Sequence, residues 1–582
     1  MSNTGDVDDP KPAPTMTTGR LAQVHFGTVA SAAARTFGRS ALVAASAVTV
    51  ALSCSSAADE RSRTPREPAA AGSVAPVVTT TDVRPDEPPP GTSVPDGSSP
   101  NPVGPVDGGR VVIDFPQGGR AIDERVFGVN VPAWLGAGRF EDPGFIARAA
   151  ESGATLIRMP GGSWSNGYRW EACEQRDDSR CYWPWAARPS DFVGLLDATG
   201  LPGLWTVSIN ETAQSAAAAV AFFNGRLGDE TPIGVDRDGV DWGTVDRWAA
   251  LRSAGGHPEP VGVQLWEVGN EVYGGRPDAG GDECASFGWE DVWTCDGREY
   301  VQGVVGHDGY LAIRSAMLAV DPTIEVGAVG VSDPSAWSGW GDEVIEESGD
   351  ELDFYVVHTY GFNSSPSGDD AVARAADLWP DELGPVTERL GGTPLAVTEY
   401  NLVAMEAADT ELTMTRAMNA LFIADSLGQL VEHDVPIAAM WTLASGSCAP
   451  DCEPPWSGTD YGLVRVDTWE PLPTFEAFRA WSKAGTQRAD AVIDGDVRLY
   501  PTRDDSGRVA VIAVNAGDAV TVPVIVRGAA AGAVASTSGV SAASLDAERM
   551  EPFDSDSLVL GPAGEIDVSL PPYSISVIEV GP

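Results

Sequence analysis

Two glutamates follow apolar runs at widely separated points of the chain and are the clearest candidates for chemistry. Glu271 ends the segment LWEVGNE, and Glu399 lies within LAVTEYN. Hydrolysis of a glycosidic bond needs one protonated carboxyl that assists the leaving oxygen and one ionised carboxylate. The pair, with its aromatic neighbours, therefore predicts glycoside hydrolysis. A carboxyl separation of about 5.5 Å would give retention of configuration, and about 6.5–9.5 Å would give inversion.

Eight short apolar runs contain or precede these residues, with helical patterns such as 145–153 and 415–433 between several of them. Runs that are rich in Val, Ile and Leu and nearly free of charge are typical of buried parallel strands. No glycine-rich phosphate turn follows the first run, so a closed (β/α)₈ barrel is favoured over an open doubly wound sheet. The runs cover residues 126–130, 155–159, 203–210, 263–268, 324–329, 354–358, 394–398 and 437–442.

In such a barrel the reacting side chains gather at the carboxyl ends of the strands. Glu271 and Glu399, at the ends of runs four and seven, would therefore face each other across one barrel mouth. The candidate residues at these ends are Arg158, Asn210, Glu211, Asn270, Glu271, His358, Tyr360, Glu399 and Trp441.

Several of these residues have a structural alternative. Glu211 repeats the Asn-Glu pair without the Gly269 and Trp266 context of Glu271, and we interpret it as a cap or subsite residue. Arg158 could serve a buried ion pair, and His358 could be a core histidine. Glu267 is interpreted as part of the barrel wall. Five tryptophans in loop segments could belong to the core, but we interpret them as sugar-stacking surfaces. They are Trp164, Trp183, Trp185, Trp289 and Trp293.

The pattern changes after about residue 485 to short alternating strands separated by turn residues. This pattern predicts an antiparallel β-sandwich over 485–582, following a catalytic barrel over 110–484. The strand-like segment 110–115 belongs either to the barrel or to the sandwich.

The N-terminal residues predict export. Arg35 and Arg39 precede the apolar run 41–52, and small residues follow it. This is the pattern of a signal segment over 1–54, too short for a spanning helix of about 20 residues. Cys54 stands where bacterial lipoproteins carry their lipid-modified cysteine, so we expect either a lipid anchor at Cys54 or ordinary cleavage and release. Residues 55–109, rich in Pro, Ser, Thr and Gly, predict a disordered tether.

The other six cysteines fall into three pairs of near neighbours. In an oxidising compartment this spacing predicts three local disulfides. No pair has a histidine at the spacing of a zinc site, and we expect neither a metal nor a cofactor. The predicted bridges join Cys173 to Cys181, Cys284 to Cys295 and Cys448 to Cys452.

The charge balance restricts the partners. The chain has 84 acidic and 37 basic residues, a formal net charge of −47. This charge argues against nucleic acid, whose binding depends on clustered Lys and Arg, and it repels anionic surfaces. We expect an oligo- or polysaccharide substrate, contact with a membrane only through the N-terminal anchor, and a location outside the cell or on its surface.

The segments LWEVGNEVYGG and LAVTEYN resemble the two signatures of clan A retaining glycoside hydrolases. The resemblance implies that Glu271 is the acid/base and Glu399 the nucleophile. It also implies that Asn270 hydrogen-bonds the sugar hydroxyl beside the anomeric carbon.

The same resemblance implies roles for four further residues. Arg158 and Tyr360 would pair with Glu399 and keep it ionised. His358 and Trp441 would line the subsite that holds the reacting sugar, with Trp441 as an apolar platform.

The segments RMPGGSWSNGYRW, PTFEAFRAWSKAG and PPYSISVIEV are similar to those of family 51 α-L-arabinofuranosidases. This similarity implies arabinofuranosides of plant or cell-wall polysaccharide as substrates. Ser163 is a departure, because that family usually has an Asn there that contacts the sugar. The insert 274–300 is another, and we expect it to form a loop over the cleft. The alternatives are another clan A specificity, such as endo-β-glucanase or xyloglucanase, and a non-catalytic carbohydrate-binding surface lipoprotein.

Overall fold

The computed structural model describes residues 106–107, 110–116, 119–181, 183–274, 292–294, 296–445, 459–466, 468–555 and 557–581. These residues all belong to one unit of the chain, Pro65–Pro582. The predicted export signal and nearly all of the predicted tether lie outside the described residues. So do Cys54, Cys284, Cys295, Cys448, Cys452, Trp289 and most of the insert 274–300.

Eight parallel strands close into a barrel in chain order, which confirms the predicted (β/α)₈ fold. Each of the eight apolar runs contributes one strand. Strands six and seven are the longest, with nine residues each, and so extend furthest into the barrel mouth. The strands are Gly128–Asn130, Leu156–Met159, Gly203–Val207, Leu265–Val268, Glu325–Val329, Phe354–Phe362, Leu395–Val403 and Ile437–Met440.

The barrel has a core inside and a second core between its strands and helices. Leu156, Leu204 and Leu265 belong to a small buried cluster made of strand residues alone. Their chain neighbours Ile157 and Trp205 belong instead to the large cluster that includes the helices. Because successive side chains of a strand point to opposite sides, the first set fills the barrel interior.

Helices and short turns surround the barrel. The α-helices are Ala137–Phe140, Pro143–Ser152, Trp164–Gly167, Trp170–Glu174, Pro189–Thr199, Ala213–Asn224, Val245–Ala254, Gly297–Gln302, Tyr310–Val320, Ala336–Ser348, Gly368–Leu390, Ala417–Glu432 and Pro473–Trp481. Short 3₁₀ turns occupy Glu124–Phe127, Ala133–Leu135, Val272–Gly274, Gly349–Glu351, Glu406–Ala408 and Thr413–Thr415. Within the described ranges, no helix combines the length and apolar composition that crossing a membrane requires.

Two sheets form the C-terminal β-structure. The larger contains Arg120–Ala121, Gln487–Arg488, Val492–Asp494, Val497–Arg503, Val509–Asn515, Val534–Ser541, Glu551–Asp554, Leu558–Val559 and Ser574–Val580, and the smaller contains Val106–Asp107, Arg110–Ile113, Val520–Val526 and Glu565–Leu570. Apolar residues of both sheets, among them Val111, Val511 and Val524, share one buried cluster.

The N-terminal strand belongs to this β-structure and not to the barrel. Arg110–Ile113 pairs in parallel with Val520–Val526. Val106–Asp107 pairs with Arg110–Ile113, although it lies inside the segment predicted to be a disordered tether. Residues 106–107 are therefore part of the β-structure and not of the tether to which they were predicted to belong.

The larger sheet packs on the helix between barrel strands seven and eight through a buried polar contact. Tyr500 donates its hydroxyl hydrogen to Asp425 of helix Ala417–Glu432, and Gln429 donates to the Tyr500 oxygen at 3.1 Å. Gly428 lies directly against the Tyr500 ring, where a Cβ atom would collide with it. Arg498 places its guanidinium 3.6 Å from Asp425. Tyr500 thus contributes both its ring and its hydroxyl group to this interface.

We expect Tyr500→Phe to lower the free energy of unfolding by about 1–3 kcal/mol, because it removes a hydrogen bond to a buried carboxylate. Denaturant unfolding followed by tryptophan fluorescence measures the change. Thr521→Val is the control, since it removes an exposed hydroxyl contact on the smaller sheet and should change stability by less than about 0.5 kcal/mol. Equal stability of Tyr500→Phe and the wild type would contradict the assigned role of this contact.

Candidate active site

Arg158 forms the centre of the polar network inside the barrel. Its side chain is fully buried on strand two. Nε donates to Glu267 at 2.6 Å, and Nη1 donates to Glu399 at 2.8 Å. Nη1 also donates to Asn130 and Nη2 to Asn270, each at 2.9 Å. Burial by itself lowers the pKa of Arg158, but Glu267 and Glu399 more than reverse the effect and raise it. The guanidinium is therefore permanently charged.

Glu399 lies on strand seven with both carboxylate oxygens engaged. Oε1 accepts from Arg158, and Oε2 accepts from the Tyr360 hydroxyl at 3.0 Å. The residue is 6% exposed. Burial and then the charge of Glu399 raise the pKa of Tyr360, so its hydroxyl keeps the hydrogen that it donates. With a hydrogen-bond donor at each oxygen, the carboxylate is held in one orientation.

Glu271 follows strand four in a tight turn. Gly269 has a φ of +83°, and a Cβ there would lie 2.7 Å from the Val272 side chain. Glu271 itself has a φ of +46°, a left-handed conformation that non-glycine residues rarely adopt. Strained backbone of this kind persists where surrounding contacts fix it, often at functional sites. The turn presents the Glu271 side chain at the mouth, where it is 19% exposed.

His358 lies between the two glutamates. Its Nδ1 is 2.9 Å from Glu271 Oε1 and 3.7 Å from Glu399 Oε2, and its Nε2 is 3.1 Å from the Thr398 hydroxyl. Burial alone would lower the pKa of His358. Glu399 and Glu271 outweigh burial and raise it, while Arg158 opposes them. His358 and Tyr360 are two residues apart on strand six and so share its inner face.

The two carboxylates are close together. One ligand atom each from Glu271, His358 and Glu399 lie within 4.8 Å of one another. This separation falls near the retaining geometry and well short of the inverting one. The same three groups are of the kind that bind metal ions, but the oxygens of Glu399 already accept from Arg158 and Tyr360. The arrangement is suited to acid and nucleophile chemistry.

Sequence reasoning missed two asparagines that support these residues. Asn130 ends strand one, accepts from Arg158, and donates to the carbonyl of Thr398 at 2.9 Å. Asn166 donates to the Asn270 carbonyl at 2.7 Å and accepts from the Asn270 amide at 3.2 Å. Asn130 could have been identified from the sequence, because it is the last residue of the first apolar run. Asn166 lies within a short helix, where no comparable signal exists.

Trp441 follows strand eight, and its half-buried ring lies over the Gly161-Gly162 turn. A Cβ on Gly162 would approach the Trp441 ring to 2.7 Å, so the glycine is required for this contact. Trp134 packs beside Trp441 with ring centroids 5.7 Å apart and donates its indole hydrogen to the Ser445 carbonyl. The strand-two turn and strand eight thus form one aromatic wall.

The other tryptophans divide into two groups. Trp164 stacks on Trp183 with centroids 4.0 Å apart, and Trp185 packs edge-on against Trp164 with 53% of its surface exposed. Trp164 is also 5.2 Å from Trp134, so this cluster continues the aromatic wall. Trp293 is different: it is 7% exposed and donates to the Ile209 carbonyl. The prediction of a sugar-stacking surface at Trp293 is wrong, because that ring is part of the core.

Two further sequence features lie near this wall. Cys173 and Cys181 form a disulfide. Ser163 is exposed and begins the short helix that carries Trp164.

Glu211 lies apart from the paired glutamates. It accepts from the Ser215 hydroxyl at 2.5 Å, and its main-chain carbonyl accepts from Arg237 at 3.2 Å. The helix Ala213–Asn224 is capped by Thr212 and not by Glu211. Burial raises the pKa of Glu211 to about 7. Of the two Asn-Glu pairs, Asn270-Glu271 is the one that the structure places beside Glu399.

Comparison with known proteins supports the resemblance to family 51. The intracellular exo-α-(1→5)-L-arabinofuranosidase 1 of Bacillus subtilis (strain 168) is 27% identical over 273 residues, covering 45% of this chain and 47% of the relative. The exo-α-(1→6)-L-arabinofuranosidase of Bifidobacterium longum is 26% identical over 220 residues, 37% of each chain. The matches thus span less than half the length of these relatives. No protein-family model matches the chain.

Solved structures show the same fold over most of the chain. The thermostable family 51 α-L-arabinofuranosidase of Thermotoga petrophila RKU-1 superposes with a TM-score of 0.60 at 19% identity, covering 81% of this chain and 100% of the other. A family 44 xyloglucanase of Paenibacillus polymyxa superposes with a TM-score of 0.50 at 14% identity. The match covers 80% of this chain and 97% of the other. The predicted similarity to family 51 α-L-arabinofuranosidases is therefore confirmed by sequence and by fold.

The raised pKa of Glu211 predicts a pH-dependent loss of stability. Between its ordinary value of 4.5 and about 7, the folded protein holds a proton that the unfolded chain has released. Stability is therefore fully present below pH 4.5 and falls as the pH rises to 7. Glu211→Gln is neutral throughout, so we expect it to gain about 1–3 kcal/mol relative to the wild type across this range.

Urea unfolding of both proteins at pH 4.5 and pH 7.5 measures this difference. Glu151→Gln, which replaces an exposed glutamate, is the control and should follow the wild type. Parallel stability profiles for Glu211→Gln and the wild type would show that Glu211 is not protonated in the folded state.

Proposed function

We propose that this chain is a retaining glycoside hydrolase of the α-L-arabinofuranosidase type. The observation that carries the proposal is the approach of Glu271 and Glu399 to within 4.8 Å, with His358 between them. Glu399 is oriented by Arg158 and Tyr360, as a nucleophile requires, and Glu271 reaches the open mouth, as an acid/base requires.

In the first step, a Glu399 carboxylate oxygen attacks the anomeric carbon of the sugar. The bond from that carbon to the leaving oxygen breaks, and the leaving oxygen takes its proton from Glu271. A sugar ester of Glu399 and a Glu271 carboxylate result. Arg158 holds one carboxylate oxygen of Glu399 in place. The attacking oxygen is therefore the other one, or the held one after a small rotation of the carboxylate.

In the second step, the Glu271 carboxylate removes a proton from water. The water oxygen attacks the anomeric carbon from the leaving-group side, and the ester bond to Glu399 breaks. Two inversions give overall retention, and both glutamates return to their starting states. Asn270, held by Arg158 and Asn166, is placed to bind the hydroxyl beside the anomeric carbon.

The substrate that we propose is an α-L-arabinofuranoside of plant or cell-wall polysaccharide. Support comes from the relatives, whose names specify exo-acting arabinofuranosidases of two linkages. The aromatic wall of Trp441, Trp134 and Trp164 supplies apolar faces for sugar rings. Ser163 departs from the family pattern, so the preferred linkage is open to experiment.

A panel of aryl glycosides tests the proposal. We expect the wild type to hydrolyse the α-L-arabinofuranoside, with the first product in the retained anomeric form by NMR. Glu399→Gln removes the attacking oxygen, so its turnover should not exceed the rate in buffer. Glu271→Gln should hydrolyse substrates with poor leaving groups about 10²–10⁴-fold more slowly than the wild type. Added azide should restore the turnover of an activated substrate by this variant.

Glu211→Gln is the matched control, because Glu211 belongs to the second Asn-Glu pair but not to the paired carboxylates. It should hydrolyse the aryl arabinofuranoside at close to the wild-type rate. Activity of Glu399→Gln equal to the wild type would refute the nucleophile. Hydrolysis of β-glucans or xyloglucan but no arabinofuranoside would favour the endo-acting alternative, and binding without any hydrolysis would favour a non-catalytic protein.

We also propose that the protein is exported and anchored at the cell surface through Cys54, as the segment 1–54 predicts. In a bacterium that processes lipoproteins, the full chain should then fractionate with membranes, and Cys54→Ser should be released. Cys173→Ser, which leaves the signal intact, is the control. Cytoplasmic recovery of both the full chain and Cys54→Ser would refute export.

A further inference from the structure

The seventh barrel strand carries one extra residue immediately before Glu399. Val397 pairs with Val357 of strand six, but Glu399 pairs with His358, so Thr398 has no residue opposite it. A bulge of this kind bends a strand and redirects the neighbouring side chains. The Thr398 carbonyl accepts from Asn130, which holds the bulge in place. The Thr398 side chain is fully buried beside the paired carboxylates.

The Thr398 hydroxyl contacts the far side of the His358 ring. Thr398 Oγ1 is 3.1 Å from His358 Nε2, while His358 Nδ1 is 2.9 Å from Glu271 Oε1. A neutral imidazole has one nitrogen that donates and one that accepts. The partner of Nε2 therefore decides whether Nδ1 carries the hydrogen that faces Glu271.

The hydrogen of the Thr398 hydroxyl favours one of the two tautomers. Among the described residues, His358 Nε2 is the partner that the structure gives to this hydroxyl. If the ring donated from Nε2, the hydroxyl hydrogen would have no acceptor in a fully buried site, which is unfavourable. If the hydroxyl donates to Nε2, every polar hydrogen of the pair is used, and the ring hydrogen lies on Nδ1.

We infer that Thr398 is a positioning residue that, whenever His358 is neutral, holds the ring in the tautomer with its hydrogen on Nδ1. Nδ1 then donates to Glu271 Oε1 both when Glu271 is protonated and when it is a carboxylate. Oε1 remains an acceptor, so the proton given to the leaving oxygen and later taken from water is carried by Oε2. The charged groups that face the ring are Glu271, Glu399 and Arg158. This inference rests on the proposed function for its catalytic consequence, but not for the tautomer itself.

Nitrogen NMR of the histidine rings tests the tautomer without turnover. The chain has five histidines, and loss of one signal pair in His358→Gln assigns the ring of interest. We expect Nδ1 to be protonated and Nε2 unprotonated in the wild type and in Thr398→Ser, which keeps the hydroxyl. Thr398→Val has nearly the same shape without a hydroxyl and should show a mixture of tautomers. The spectra are recorded above the pKa of His358, where the ring is neutral. A neutral wild-type ring with its hydrogen on Nε2 would overturn the inference, as would an unchanged spectrum in Thr398→Val.

Kinetics on two aryl arabinofuranosides test the consequence. A phenyl leaving group needs a proton from Glu271, whereas a dinitrophenyl group scarcely does. We expect Thr398→Val to lower kcat/KM on the phenyl substrate by about tenfold or more, part of the 10²–10⁴-fold that a positioned acid supplies. The dinitrophenyl kcat/KM, which does not include the second step, should stay near the wild-type value, and Thr398→Ser should restore kcat/KM on the phenyl substrate.

Equal losses on both substrates would indicate a purely structural role and overturn the positioning role. If the wild type hydrolyses neither substrate, the proposed function fails, while the NMR spectra still decide the tautomer. The two failures are thus distinguishable.

Discussion

A single buried guanidinium organises the barrel mouth. Arg158 is charged, fully excluded from solvent and shared between the carboxylates of Glu267 and Glu399. Burying such charges is unfavourable unless every group is paired, and removing one partner of a buried pair typically costs about 3–5 kcal/mol. Strands one, four and seven supply the partners of Arg158, which lies on strand two, so the barrel must close correctly before the charges are satisfied. The network that orients Glu399 therefore also selects the register of the strands.

The elements that bear the site could be predicted from the sequence because their signals are local. The eight strands are short apolar runs, and Glu271 and Glu399 follow two of them with glycine and aromatic neighbours. Asn166 and Thr398 could not be identified in this way. Their roles come from partners far along the chain, and no local pattern reports that Thr398 is an extra residue opposite strand six.

Burial explains the remaining differences between expectation and structure. Exposed and buried tryptophans look alike in a sequence, so Trp293 was grouped with Trp185 although one is core and the other is surface. For Glu267, the predicted kind of role is correct but its partners could not be foreseen. It was assigned to the barrel wall, and it does serve a structural role, but as the charged partner of Arg158 and the acceptor of the Thr206 hydroxyl at 2.7 Å. Sequence alone does not reveal which wall residues point inward to a cation.

The pairing of Arg110–Ile113 with Val520–Val526 affects the order in which the molecule can assemble. A ribosome makes the first of these strands hundreds of residues before its partner emerges. The barrel can therefore collapse early, but the sheet beside it cannot form until residues 520–526 have been made. A chain that stops before them would expose an unpaired edge strand, the kind of surface that promotes aggregation.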